Sequence, residues 1–253
     1  MTAEKFVAEI FGTGMLILLG DGVVAGVLLA KSKAQNSGWI VITAAWAFAV
    51  FCGVIIAGPV SGAHLNPAVS LGIFVQSAMG DGKFGVDQLV MYWIAEMLGA
   101  FIGAVLVAIH YWPHWAETED PGLKLAVFST GPAIRSYTMN FVSEVIGTFV
   151  LVFVIFAFGN NKGVGLAALG ALPVAILVWS IGMSLGGTTG YAINPARDLG
   201  PRIAHFLLPI PGKGDSDWAY SWIPVVGPLV GGALAAIVYQ AAFTNFMSKV
   251  IGG

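Results

Sequence analysis

Gly62-Ala63-His64-Leu65-Asn66-Pro67-Ala68-Val69 is answered 128 positions later by Gly190-Tyr191-Ala192-Ile193-Asn194-Pro195-Ala196-Arg197. Each stretch sets Asn-Pro-Ala at the mouth of an apolar run too short to cross a bilayer, and the pair predicts two half-helices beside a pore. Asn is a favoured N-cap, because its side-chain oxygen accepts from backbone N–H groups at a helix start. Pro suits the first helical position, where its missing N–H costs nothing. Pro67 to about Gln76 is ten residues, or ~15 Å at ~1.5 Å per residue, half of a hydrocarbon core ~30 Å thick. Two such segments end to end make one span, with their positive dipole ends meeting at the midplane.

The residues just before each motif, Ser61-Gly62-Ala63-His64 and Thr188-Thr189-Gly190-Tyr191-Ala192, cannot be helical and still supply those caps. They are predicted to run as irregular backbone at membrane depth, which is tolerated only where it is buried in protein or lines a wet cavity. A narrow tunnel follows. The carbonyls of Gly62, Ala63, His64, Gly190, Tyr191 and Ala192 form a ladder of acceptors, the amides of Asn66 and Asn194 are donors at the centre, and apolar side chains stand opposite. Water or an uncharged polyol fits such a wall.

The composition requires a membrane. Of 253 residues 57% are hydrophobic and 9% charged, against roughly 25% charged in soluble domains, and the mean hydropathy is +0.86. A net charge of −2 offers no basic field for nucleic acid. The lone Cys52 excludes an internal disulfide, and Glu4 and Glu9 break the pattern of a cleaved leader, so the first apolar segment is expected to be retained. Apolar windows predict six spans, at approximately 6–29, 39–58, 87–111, 137–159, 166–186 and 222–246. Links lie at Lys31 to Ser37, Pro113 to Ser136 and Pro209 to Asp217, and residues 1–253 form a single domain.

That domain is internally repeated. Ala8-Glu9-Ile10-Phe11-Gly12-Thr13 is answered by Ser143-Glu144-Val145-Ile146-Gly147-Thr148, and each Glu precedes its Asn-Pro-Ala motif by a similar interval, 57 and 50 residues. The halves are approximately 1–111 and 137–253. Three spans is an odd number, so the second half enters from the opposite face, as in the inverted repeats of many transporters and pores. The fold class is an all-α membrane protein of six transmembrane helices plus two re-entrant half-helices. Glu9 and Glu144 are expected to accept hydrogen bonds from backbone N–H groups of the dipping loops. His64 is read as a loop-packing histidine whose carbonyl matters more than its ring. The small-residue runs Gly99 to Ala104 and Gly227 to Ala236 predict close helix packing, and Trp93, Trp112, Trp115, Trp218 and Trp222 read as interfacial belts. Asp21 and Glu96 lie in spans without an assigned partner.

Gly62 to Val69 and Gly190 to Arg202 resemble the two signature loops of the aquaporin, or major intrinsic protein, family, and the likeness extends over nearly the whole chain. Asp198 directly after Arg197, with Arg202 four residues on, resembles the glycerol-facilitator or aquaglyceroporin branch; Pro224-Val225 departs mildly from its pattern. The two residues also suit an i,i+4 ion pair with the acid nearer the helix N-terminus. The resemblance implies a four-residue selectivity filter at Trp46, Gly182, Tyr191 and Arg197. Arg197 would offer a fork of donors to adjacent hydroxyls, Trp46 and Tyr191 an apolar corner, and Gly182 room. Facilitators of this branch mostly carry Phe where this chain has Tyr191, whose hydroxyl would narrow the slot or pair with a substrate oxygen.

The expected function is passive diffusion of glycerol, with some water, through a channel that needs no cofactor or metal. Ions and protons would be rejected by a positive barrier set by the two dipole ends and Arg197. Family likeness implies a homotetramer with cytoplasmic termini in a bacterial plasma membrane. Lysines and arginines do not decide orientation: Lys5, Lys83, Lys162 and Lys249 fall on one side, Lys31, Lys33, Lys124, Arg135 and Lys213 on the other. Competing readings are a water-selective pore, a pore for dihydroxyacetone, urea or undissociated lactic acid, and an ion-coupled transporter. An enzyme is disfavoured, because no nucleophile–base pair or metal spacing is found among the four His and one Cys.

Overall fold

A computed structural model gives the fold and describes residues 1–160 and 169–244. Among these, ten α-helices and no strand occur: α1 Ala3–Leu28, α2 Trp39–Ser61, α3 Pro67–Met79, α4 Val86–His110, α5 Trp112–Glu117, α6 Pro121–Phe128, α7 Tyr137–Asn160, α8 Leu172–Leu185, α9 Pro195–Leu207 and α10 Ile223–Val238. The last continues as a π-helical turn, Tyr239–Thr244. The regions Ala3–Leu28, Trp39–Ser61, Val86–His110, Tyr137–Gly159 and Ile223–Phe243 are long and apolar enough to cross a bilayer. Their outward faces carry bare apolar side chains such as Phe11, Ile40, Phe48 and Ile109. Water would penalise that surface and lipid does not.

Several element boundaries differ from the sequence reading. Of the fifth span, expected from residue 166, the described residues form an α-helix over the 14 residues of α8. Gly170 at φ 56° interrupts the backbone ahead of it and Pro173 sits in its first turn; residues 166–168, and 245–246 of the sixth span, lie outside the described residues. The half-helix expected to stop near Gln76 runs on to Met79, and Ser61 closes α2 instead of starting the irregular loop. The link from Pro113 to Ser136 holds two short helices, α5 and α6. α6 is capped by Asp120, whose side chain accepts from Gly122 N–H.

Helix packing repeats between the halves. α1 packs on α2 and α4, and α7 packs on α8 and α10; each half-helix then lies against the last long helix of the other half, α3 on α10 and α9 on α4. Small residues make this possible. A Cβ on Gly99 would stand 2.4 Å from the Ile10 carbonyl oxygen, one on Gly231 2.4 Å from that of Val145, and one on Gly232 2.5 Å from that of Ala68. These backbones touch at van der Waals range, as small-residue interfaces in membranes allow. Trp112, Trp218 and Trp222 are exposed, as belt residues are. Trp115 is fully buried and donates to Ala108 O, and Trp93 donates to Pro67 O, so both brace the interior and depart from the belt expectation.

Candidate pore and selectivity site

The two signature loops share one backbone pattern. Gly62, Ala63 and Leu65 have φ of 92°, 53° and 55°, and their counterparts 128 positions on, Gly190, Tyr191 and Ile193, have 83°, 39° and 43°. Four of these are non-glycine residues held in the left-handed region, at about 1–3 kcal/mol each. Such a conformation persists only when the surroundings impose it, and two buried carboxylates are in place to do so.

Glu9 on α1 accepts from His64 N–H at 3.0 Å, Leu65 N–H at 2.8 Å and Ser61 Oγ at 2.5 Å. Glu144 on α7 accepts from Ala192 N–H at 3.0 Å, Ile193 N–H at 2.9 Å and Thr189 Oγ1 at 2.7 Å. The three partners in each half again differ by 128 positions. Each carboxylate satisfies donors that an irregular loop would otherwise leave unpaired in a medium without water.

The half-helix N-termini meet. Asn66 Oδ1 caps α3 by accepting from Ala68 N–H, and Asn66 Nδ2 donates to Ile193 O at 2.8 Å; Asn194 Oδ1 caps α9 by accepting from Ala196 N–H, and Asn194 Nδ2 donates to Leu65 O at 2.8 Å. Capping fixes which end of each amide is oxygen. One of the two N–H groups of each amide is then engaged, leaving one per Asn. Pro67 and Pro195 occupy the first turns, followed by fully buried Ala68 and Ala196.

A cavity of about 180 Å³ passes between these caps. One water needs only about 10–15 Å³ of such space, so the volume holds a file of small molecules. It is bordered by Gly62, Ala63, His64, Asn66, Tyr191, Ala192, Asn194, Trp46 and Arg197, with Leu16, Val50, Leu151 and Val178 on the apolar side. Gly182 and Gly190, both expected at the pore, are not among the residues that border it. The His64 ring stacks on Tyr92 at 4.1 Å, and its Nδ1 lies 2.8 Å from Ser70 Oγ.

At one end the Arg197 guanidinium lies 4.1 Å from the centre of the Trp46 ring, a cation–π contact. Trp46 is itself seated on Gly20, where a Cβ would fall 2.3 Å from ring carbon Cζ3. Tyr191 stands edge-on to Trp39 at 5.8 Å and fits over two glycines at the end of α8, Gly182 within it and Gly186 as its C-cap: a Cβ on Gly182 would be 2.8 Å from Cζ, and one on Gly186 2.5 Å from Cδ1. The Tyr191 hydroxyl is buried with no hydrogen-bond partner among the described residues. Gly20→Ala is expected to drive the Trp46 ring about 1 Å into the cavity, since heavy atoms rest ~3.5–4.0 Å apart. Glycerol permeability of reconstituted vesicles should then fall about fivefold or more, the equivalent of adding to the passage barrier the ~1 kcal/mol at the low end of overpacking costs; an unchanged rate would show that the ring does not border the path.

Behind the arginine lies a charge network that the sequence reading caught only in part. Arg202 donates from Nε to Asp198 Oδ1 at 2.8 Å and from Nη2 to Asp198 Oδ2 at 3.0 Å, the i,i+4 pair, with both side chains fully buried. Arg202 also donates to the carbonyls of Thr130, Ser216 and Asp217, and Asp198 accepts from the N–H and hydroxyl of Thr130. Arg197 Nη1 donates to Asp21 Oδ1 at 3.1 Å and to Phe128 O at 3.2 Å. Asp21 therefore sits in the interior of α1 as the partner of Arg197. The sequence reading leaves Asp21 without a partner, and the structure places it against the arginine of the expected positive barrier.

Glu96, the other unassigned acid, accepts from Ser70 Oγ at 2.7 Å and so stands behind His64. Neither tie was legible in the chain, because Asp21 and Arg197 are 176 positions apart, and Ser70 and Glu96 lie on different helices 26 positions apart. An isolated acid in such a span was the one available signal.

Two facing half-helices, capped across a cavity in an all-helical apolar bundle, define an integral membrane protein of the channel type. The chain belongs to the major intrinsic protein family, whose description matches residues 1–239. It is 55% identical over 239 residues to a "Probable glycerol uptake facilitator protein" of Thermotoga maritima, covering 94% of this chain and 99% of that one. It is 58% identical over 238 residues to "Glycerol uptake facilitator protein 3" of Lactiplantibacillus plantarum, covering 94% and 96%. Among solved structures, an aquaglyceroporin from Plasmodium falciparum matches with a TM-score of 0.84 at 29% identity, over 97% of this chain and 98% of the other.

Proposed function

We propose that this protein is a passive pore through which glycerol, and with it some water, crosses a bacterial plasma membrane down its gradient. The observation that carries the reading is the cavity between the two Asn-capped helix ends, closed on one side by Arg197 stacked over Trp46. Arg197 Nη1 is held from behind by Asp21 and Phe128, which leaves the rest of the guanidinium for adjacent hydroxyls of a polyol, while Trp46 and Tyr191 receive its carbon edge. The names of the bacterial relatives support the same solute. Trp46, Gly182, Tyr191 and Arg197 act as the selectivity filter, with Gly182 working through the seat it gives Tyr191. The free N–H groups of Asn66 and Asn194 receive the passing oxygen and, with the helix N-termini, interrupt a proton relay. Four copies assemble with a pore in each, the termini cytoplasmic.

An ion-coupled transporter is the second reading, and Glu9 and Glu144 would be its coupling sites. Their oxygens are occupied by loop N–H and hydroxyl groups, which favours the anchor role. Stopped-flow light scattering on proteoliposomes decides: glycerol flux above protein-free vesicles, insensitive to Na⁺ and pH gradients, is expected. Water flux without glycerol flux would overturn the solute, and ion conductance the exclusion mechanism. Tyr191→Phe is expected to change the glycerol-to-water ratio by less than about twofold, since the hydroxyl it removes is buried against Gly182 and bonds to no described group. A tenfold drop in glycerol alone would place that hydroxyl on the solute.

A further inference from the structure

We propose that Asp21 is the counter-charge of the pore arginine, and that this pairing, resting on the filter reading above, keeps small oxyanions from lodging in the filter. The nearest acid in sequence to Arg197 is Asp198, but both Asp198 oxygens are taken by Arg202 and Thr130. Asp21, 176 positions away on α1, is the carboxylate that reaches Arg197, at 3.1 Å, with 0% exposure against 7% for the arginine. Asp21, Arg197, Asp198 and Arg202 thus form a buried quartet of two carboxyl groups and two guanidinium groups.

The way Asp21 is used separates it from the loop anchors. Glu9 and Glu144 spend both oxygens on backbone N–H groups, whereas Asp21 Oδ1 meets Arg197 and Oδ2 has no hydrogen-bond partner among the described residues. A carboxylate with one oxygen idle is a poor structural tie. Its contribution lies in its charge, which acts strongly where water is sparse. The neighbouring Gly20 seats Trp46, so the Gly20-Asp21 step supports both the ring and the guanidinium of the filter from one turn of α1. The repeat-equivalent residues on α7, Ile155 and Phe156, are apolar, which confines the device to the half of the pore that carries the arginine.

With Asp21 ionised, the guanidinium offers donors to a neutral polyol without net attraction for an anion. Without that charge, the planar fork matches a planar oxyanion, and nitrate would bind two donors and occupy the slot. Asp21 is thus a positioning and charge-setting residue that never touches the solute.

The test compares glycerol permeability of proteoliposomes in about 0.1 M nitrate and in gluconate of the same ionic strength, where screening is matched. For Asp21→Asn and for Asp21→Ala, nitrate is expected to lower glycerol flux about threefold or more, while the native protein changes little. Each ratio is taken within one vesicle preparation, so the fraction of folded pores cancels, and water permeability in gluconate reports that fraction. Nitrate insensitivity of both variants overturns the proposal, as does loss of water and glycerol flux together in both, which would make Asp21 a folding element. Absence of glycerol flux in the native protein instead overturns the filter reading, a separate outcome.

Discussion

Glu144→Ala is expected to abolish glycerol and water flux alike. The carboxylate binds Ala192 N–H, Ile193 N–H and the Thr189 hydroxyl at 2.7–3.0 Å. Alanine leaves all three buried donors without a partner, at about 1–3 kcal/mol each. The same interactions help hold Tyr191 and Ile193 at positive φ, a further ~1–3 kcal/mol each of strain. Set against a typical total stability of about 5–15 kcal/mol, this is enough to let the loop relax. The carbonyl of Ile193 then leaves the Asn66 amide, and the meeting of the two caps is lost. Glu9→Ala should do the same from the other half. Stopped-flow rates normalised to protein content measure the effect; glycerol flux within twofold of the native rate in Glu144→Ala would remove the anchor role.

Arg202→Leu is expected to be the most destabilising charge substitution in the chain. It strands Asp198 in a fully buried site, and breaking a buried ion pair on one side costs about 3–5 kcal/mol. The guanidinium also ties α9 to the carbonyls of Thr130, Ser216 and Asp217, so the segments that frame Arg197 lose their common support. At about 2–4 °C per kcal/mol for a chain of this size, the midpoint of thermal unfolding in detergent should fall by roughly 10 °C. Pairing the change with Asp198→Asn should recover part of the loss, because the uncompensated charge goes with it. A double variant no better than the single one would mean that the carbonyl contacts, not the ion pair, carry the effect.

These effects trace to features of unequal visibility in the sequence. Glu9 and Glu144 stand out because each is an acid in an apolar span followed at a similar interval by an Asn-Pro-Ala motif. Arg202 and Asp198 stand out by their i,i+4 spacing. Asp21 and Glu96 show only as misplaced charges, since their partners Arg197, reaching from α9, and Ser70, on the neighbouring α3, are brought to them only in the folded bundle. In the fifth span the described helix α8 starts only at Leu172, because apolarity continues through Gly170 while its φ of 56° interrupts the helical backbone. Trp115 was misread because hydropathy gives a tryptophan near a span end no way to report its burial.

Local chemistry written in the chain determined the two half-helices, their caps and the repeat, because capping and hydrophobic length act over a few residues and need no knowledge of the rest of the fold. Only the tertiary structure decided that each Asn amide reaches the opposite loop, that Trp46 rests on Gly20, and that the pore arginine is neutralised from α1. Those contacts join residues more than a hundred positions apart or depend on which face of a helix turns inward. In a chain whose spans are apolar on every side, no periodicity in the sequence records that face.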